Sequence, residues 1–293
     1  MASGAAPNAP RHSLTRHALG AMARDKLFAA CCVVLGVIVL GVIVGPWLSP
    51  HSYYAINLEF AQQPPQFSGQ HWFGTDDLGR DLFVRAMQGG RISLMVGLVA
   101  TIVSLVFGVV WGATAGYLGG RIDHLMMRVV DIFYAIPFMF FVILLMVLFG
   151  RNIILIFVAI GAVNWLDMAR IVRGQTLALR GREFVQAAEV IGASRPRIIF
   201  RHIVPNLLGI VVVYATLTVP QVILIESFLS FLGLGVQEPM TSWGALVQQG
   251  TQVMSTAPWV LLFPATLLAV SLVCLNFIGD GLRDALDPKD RHR

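Results

Sequence analysis

An all-α, polytopic membrane protein with six transmembrane helices is the fold class predicted by this 293-residue sequence, on three observations. First, 56% of the residues are hydrophobic and 13% charged, against roughly 25% charged in soluble domains, and mean hydropathy is +0.73. Second, runs with little or no charge occur at 27–48, 92–118, 132–150, 152–166, 206–225 and 258–279, most of them near the ~20 residues that span a bilayer. Third, Lys and Arg divide unevenly between the two sides that six spans define. The N-terminal tail, second loop, fourth loop and C-terminal tail hold 4, 2, 7 and 4, and the opposite side holds 3, 1 and 0. A split of 17 against 4 places both termini and the loop 183–206 in the cytoplasm. The formal net charge of +5 is thus a topology signal, and nucleic-acid binding has little support.

Taken in order, residues 1–26 form an Ala, Pro, Ser and Arg-rich cytoplasmic tail, expected to be mobile, with Arg24 and Lys26 anchoring the first span. Gly45-Pro46-Trp47 offers no cleavage site, so that span reads as a retained signal anchor. Cys31, Cys32 and Cys274 fall inside spans and read as small apolar residues rather than a disulfide framework. In the first outer loop, Thr75 is placed to cap a helix with Asp76 and Asp77 in its first turn. Leu78, Leu82 and Arg85 follow at helical spacing, predicting an interfacial helix with Trp72 and Phe73 at headgroup depth. The third and fourth spans, separated by little more than Arg151, form a tight antiparallel hairpin. Asp167 and Arg170 can pair on one helical face as a structural salt bridge at the cytoplasmic border.

The stretch 183–206, EFVQAAEVIGASRPRIIFRHIVPN, is too polar to enter lipid and too patterned for a linker. Phe184, Ala188 and Ile191 share a helical face, Gly192 stops the helix, and Ser194 can cap a second short helix that Pro205 ends. The product is a helical knob rimmed by Arg180, Arg182, Arg195, Arg197 and Arg201. Ala187 and Ala188 permit close backbone approach by another protein, although each is also an ordinary helix former. Near the outer end of the fifth span, Glu226 would cost about 2.5–3.5 kcal/mol if it faced lipid. It therefore faces a cavity or a partner helix, with Ser227 and Ser230 continuing the polar character, or it sits hydrated at the interface. The third outer loop carries no Lys or Arg and reads as semi-polar and partly embedded. Asp280, Arg283 and Asp284 close the sixth span as a solvated end.

Several chemistries are excluded. A phosphate-binding P-loop needs Gly-Lys, and the only lysines, Lys26 and Lys289, follow Asp25 and Pro288. The seven histidines are scattered, with no metal-ligand spacing and no nucleophile elbow, so no catalytic or metal-binding residue is assigned. A membrane-embedded enzyme would need convergent titratable groups that the sequence does not offer. The main rival from another class is a stand-alone six-helix channel or secondary transporter. No internal repeat supports it.

The segment Gln186-Ala187-Ala188-x-x-x-Gly192 followed by Ile203-Val204-Pro205-Asn206 resembles the EAA loop of permease subunits in ABC importers. With HWFGTDDLGRD from His71, RISL from Arg91, ESFLSFLGLG from Glu226 and GDGLRDALDP from Gly279, most of the chain resembles the C-type permease subunit of the dipeptide, oligopeptide and nickel import family. That resemblance implies a type I ABC importer permease fold in the bacterial inner membrane. It implies a 27–283 permease domain, a cytoplasmic coupling loop at 171–206 and a short tail at 284–293. Its partners would be a second homologous permease, two cytoplasmic ATP-binding domains, an extracytoplasmic solute-binding protein and surrounding lipid. This chain would bind no cofactor, with ATP and Mg held by the ATPase subunits. Gln186, Ala187, Ala188, Glu189 and Gly192 occupy the coupling positions that dock on an ATPase. Gln186 departs from the usual leading Glu, which removes one charge but not the shape of the knob. Glu226, Ser227 and Ser230 are the candidates for pathway or gate. Peptide is preferred to nickel as the solute because no His or Cys cluster marks a metal path.

Overall fold

The computed structural model describes residues 25–66, 71–150 and 152–286. The expectations for 1–24, Arg151 and 287–293 lie outside the described residues. Among them every regular element is helical, apart from an isolated antiparallel bridge between Thr75 and Asp81.

The first helix, α1 (Lys26–Leu48), starts where the Asp25 carboxylate accepts hydrogen bonds from the Leu27 and Phe28 amides, satisfying two of the donors a helix start leaves unpaired. A single 3₁₀ turn at Leu58–Phe60 follows. The next helix, α2 (Leu82–Leu118), has 37 residues and is therefore about 55 Å long. Its start corrects the expectation for the first outer loop. Asp81, not Thr75, caps the helix, accepting from the Val84 amide at 2.9 Å. The Thr75 hydroxyl is committed elsewhere, donating to the Phe60 carbonyl and accepting from the Gln63 amide. Asp76 takes the Leu78 and Arg80 amides, each at 2.9 Å, and so turns the chain instead of lying in a helix. Among the described residues there is no separate interfacial helix, because Leu82 and Arg85 open the long second span itself.

The third expected span is broken. Helices α3 (Gly120–Ala135) and α4 (Phe138–Phe149) meet at an angle of 82° across Ile136 and Pro137, where proline disfavours helical geometry in the residue before it. The expected fourth run forms the start of α5 (Ile153–Arg180), entered through an Asn152 cap on the Ile154 amide. Among the described residues four helical stretches, against the six spans expected, are long and apolar enough to cross a membrane: α1, α2, the run Arg195–Phe231 and Trp259–Ala285. The bent α3–α4 pair makes a fifth when counted as one.

The knob comprises α6 (Glu183–Val190) and α7 (Arg195–Ile198), joined through Gly192 at φ +80°, a conformation glycine adopts without the Cβ clash of other residues. Pro205 does not end the second helix. A wide π turn at Ile199–Ile203, closed by the Val204 amide on the Ile199 carbonyl, carries α7 directly into α8 (Val204–Phe231). Proline lacks a donor and crowds the carbonyl four residues back, and the widened turn just ahead of it absorbs both defects. The chain closes with α9 (Trp243–Gln252), capped by Ser242, and α10 (Trp259–Leu286).

Packing centres on α2. Gly108, Gly112 and Gly116 form one stripe along it, and Cβ atoms there would lie 2.9, 2.3 and 2.8 Å from the carbonyl oxygens of Trp165, Ala169 and Arg173 on α5. Small residues at four-residue spacing let two helix backbones touch, which is how helices associate where lipid supplies no hydrophobic drive. All three cysteines are free.

Candidate functional site

Three polar or exposed features stand out against this apolar bundle: the knob, a cavity in the middle of α2, α5 and α8, and the cluster around Glu226.

In the knob, Val185 and Ala188 are the buried residues. They pack with Tyr117, Val172, Ile198, Ile199 and Ile203. This corrects the face expected from spacing, since Phe184 is 40% exposed and Ile191 85%. Gln186 and Ala187 are exposed, Gln186 reaching only back to the Gly181 carbonyl at 3.4 Å. Glu189 accepts from the Tyr117 hydroxyl at 2.9 Å and so ties the knob to the C-terminal end of α2. A Cβ at Gly192 would meet nothing within 4 Å. Val190, at 88%, and Ile191 are the most exposed large apolar side chains among the described residues. Ser194 holds the cap position of α7 without a side-chain hydrogen bond, and Arg182, Arg195, Arg197 and Arg201 surround the tip, exposed.

A cavity of about 300 Å³ opens between the helices. Apart from Tyr214, its polar lining comes in pairs three residues apart: Thr101 and Ser104 on α2, Asn164 and Asp167 on α5, Thr218 and Gln221 on α8. The Thr101 and Ser104 hydroxyls are buried with no hydrogen-bond partner among the described residues. Sequence reasoning missed five of these six, although three such pairs inside apolar runs are a legible signal. Asp167 was singled out for a pair with Arg170 that does not form. Arg170 instead pairs with Asp131 at 2.8 Å, while Asp167 accepts from the Tyr134 hydroxyl, so both side chains reach across to α3.

Glu226 is fully buried and faces neighbouring helices rather than the cavity. It accepts from Ser93 on α2 at 3.0 Å and from Ser230 at 2.7 Å. Ser242 reaches Ser230 at 3.1 Å, and the Trp243 amide reaches Ser93 at 3.2 Å. Ser227 is also buried, against Gly244 of α9. The carboxylate thereby joins α2, α8 and the start of α9 through hydroxyl groups alone.

A second polar network lies beyond it. The buried Arg80 guanidinium contacts Asp76 at 2.7 Å and Glu238 at 2.8 Å, and buried Arg85 contacts Gln249 at 2.9 Å. Burial pulls the Arg80 guanidinium down, but Asp76 and Glu238 outweigh it and hold it above its ordinary value. Burial likewise pushes the Glu238 carboxyl up, and the hydrogen bond and charge of Arg80, reinforced by Arg85 and Gln249, hold it below the usual range. Glu238 was not foreseen, since its main partner, Arg80, lies 158 residues away in sequence. Asp280, Arg283 and Asp284 are exposed, as a solvated end requires.

Comparison with known proteins places these features in a family. Residues 104–292 match the model of the binding-protein-dependent transport system inner membrane component, and residues 13–65 match that of the N-terminal TM domain of oligopeptide transport permease C. The chain is 57% identical over 279 residues to the oligopeptide transport system permease protein OppC of Escherichia coli K12, covering 95% of this chain and 92% of that one. It is 56% identical to the protein of the same name from Haemophilus influenzae, covering 92% and 86%. To the dipeptide transport system permease protein DppC of Bacillus subtilis it is 45% identical, covering 96% and 88%. Among solved structures, the inward-facing MetNI methionine ABC transporter aligns with a TM-score of 0.56 at 20% identity, over 70% of this chain and 96% of that one. An all-α bundle with an exposed helical knob, matched over most of its length by these relatives, belongs to the binding-protein-dependent transport system inner membrane component family of multi-pass ABC importer permeases.

Proposed function

We propose that this protein is the permease subunit of an ATP-driven, binding-protein-dependent importer of dipeptides and oligopeptides. It forms half of the translocation pathway with a second homologous permease and is powered by two separate cytoplasmic ATPase subunits. The carrying observation is the tip of the knob: Val190 and Ile191 are almost fully exposed beside a strained-for-others Gly192 and a rim of arginines. Burying two such side chains is worth about 1.5–3 kcal/mol each, which favours a groove on a partner protein over water. Gln186, Ala187, Glu189 and Gly192 form the docking surface within a coupling loop at 171–206, and Ala188 packs beneath it, buried in the cluster with Tyr117 and Val172. Both termini lie with that loop in the cytoplasm, consistent with its charge. ATP and Mg belong to the ATPase subunits, and a solute-binding protein delivers peptide on the opposite side. The oligopeptide and dipeptide relatives favour peptide over nickel.

Peptide passes along the polar cavity at Thr101, Asn164 and Gln221, where paired polar side chains replace water for peptide groups that lipid would strand. Glu226, Ser227 and Ser230 act as a buried latch joining α2, α8 and α9 at the gate rather than as a wall of the path. ATPase closure pulls on the knob and tilts α5 and α8, exchanging inward-facing and outward-facing states.

The test is uptake of a labelled tripeptide into liposomes holding the full importer, with ATP supplied to the ATPase side. Gly192→Asp should abolish uptake while the subunit still inserts and assembles in amounts like wild type. Gln221→Trp should lower uptake several-fold with ATP hydrolysis retained. Normal uptake by Gly192→Asp defeats the docking assignment, and normal uptake by Gln221→Trp removes the cavity from the path.

A further inference from the structure

We propose that His51, His71 and Asp81 form a binding site for a divalent first-row transition ion, with Zn²⁺ the best fit, at the end of α2 remote from the knob. The three residues are scattered through the first outer loop, but the fold brings one ligand atom of each within 4.8 Å of the other two. His71 and Asp81 are 7% and 3% exposed, and the three side chains line a cleft of about 150 Å³.

The arrangement exceeds what a structural hydrogen bond needs. Asp81 is held in place because one carboxylate oxygen caps α2 through the Val84 amide, leaving the other facing His71 Nδ1 at 2.9 Å. That spacing is close to the ~3.3 Å that two ligands keep on a tetrahedral ion bound at ~2.0 Å. An ion between them takes the place of the shared proton, which the imidazole then carries on Nε2. His51 supplies the second observation. Its ring stacks on His71 with centroids 4.5 Å apart, and its Nε2 is buried without a hydrogen-bond partner among the described residues. An orphaned imidazole nitrogen beside a second imidazole and a fixed carboxylate costs free energy that a cation would recover.

Two nitrogen ligands and one oxygen suit Zn²⁺, Co²⁺, Ni²⁺ or Cu²⁺, whereas Ca²⁺ and Mg²⁺ require oxygen-rich shells. Three protein ligands leave a fourth position open toward the cleft. The ion would clamp the segment after α1 to the first turn of α2. Asp81 lies 20 residues before Thr101, about 30 Å along the helix axis, so this site is separate from the cavity assigned to peptide. The proposal does not depend on the solute.

The experiment uses the whole importer purified through an affinity tag other than polyhistidine, stripped with a chelator and titrated with Co²⁺. Wild type should show a saturable visible band of tetrahedral intensity, about one Co²⁺ per chain, which added Zn²⁺ abolishes. His51→Ala and His71→Ala should each lose that increment while eluting as assembled complexes, and ions held by partner subunits cancel in the difference. His51→Asn replaces the alanine variant if that one fails to assemble. A wild-type complex without the saturable band overturns the site, as does a His51 variant that keeps it.

Discussion

Glu226 holds together three helices through hydroxyl groups, accepting from Ser93 and Ser230 in a fully buried site with no cationic partner among the described residues. Glutamine keeps one oxygen acceptor and can donate its amide to the other serine, whereas leucine strands both hydroxyls. We expect Glu226→Gln to unfold at the wild-type temperature and Glu226→Leu to lose about 1–3 kcal/mol, measured by thermal unfolding in detergent. Both should lower peptide uptake, and wild-type rates in both would remove Glu226 from the gate. Glu238 gives a pH-dependent counterpart. Because its folded carboxyl is held below the ordinary value of about 4.3, its contact with Arg80 contributes stability above that pH and loses it as acidification passes the folded value. Glu238→Gln should therefore flatten the dependence of the unfolding midpoint below about pH 4.3. A slope equal to wild type would show that the ion pair carries no stability. At this scale the chain was partly legible: a carboxylate in an apolar run announces itself through its desolvation cost, and Glu226 was found that way. Glu238 and His51 were not, because their partners are set by the fold and no local spacing encodes them.

Among the elements, the contact between α2 and α5 rests on backbone approach. A methyl at Gly112 would lie 2.3 Å from the Ala169 carbonyl oxygen and 2.9 Å from the Arg173 amide nitrogen, neither of which can swing aside as a side-chain tip would. Gly112→Ala should separate the helices and cost about 1–3 kcal/mol, read as a lower thermal midpoint, and Gly112→Leu should prevent stable accumulation. Gly174 on α5, where a Cβ meets nothing within 4 Å, is the control that should tolerate alanine. An unchanged midpoint in Gly112→Ala would mean the helices are not held at this distance. Hydrophobic runs reveal where helices lie, and all four long spans fell where charge-free runs placed them. Such runs do not reveal breaks or continuations. Pro137 bends one run by 82°, while Pro205, which reads as a terminator, is carried through by a π turn that only the three-dimensional path makes visible. The knob was legible as two helices about Gly192, but its buried face was misassigned because eight residues are too few for a spacing argument to distinguish Phe184 from its neighbour Val185.

For the molecule as a whole, α2 takes part in the knob contact, the cavity, the Glu226 cluster and the Arg85 network. Its start carries Asp81 and Arg85, Ser93 meets Glu226, Thr101 and Ser104 open on the cavity, and Tyr117 at its far end holds the knob. A force applied at the knob can reach the cavity by two routes: directly through α5 and α8, whose ends flank α6 and α7, or along α2 through the Tyr117–Glu189 hydrogen bond. Tyr117→Phe separates them, since it deletes one hydroxyl and leaves the ring within the apolar cluster of Val185 and Ala188. The variant should fold and retain its ATPase subunits, because Val190 and Ile191 are untouched. If α2 shares the load, each ATP hydrolysed should deliver less peptide, so uptake falls several-fold while hydrolysis persists. Measuring both rates in the same liposomes decides the matter. A wild-type ratio of peptide to ATP would assign the whole stroke to α5 and α8 and leave α2 as the fixed rail against which they move.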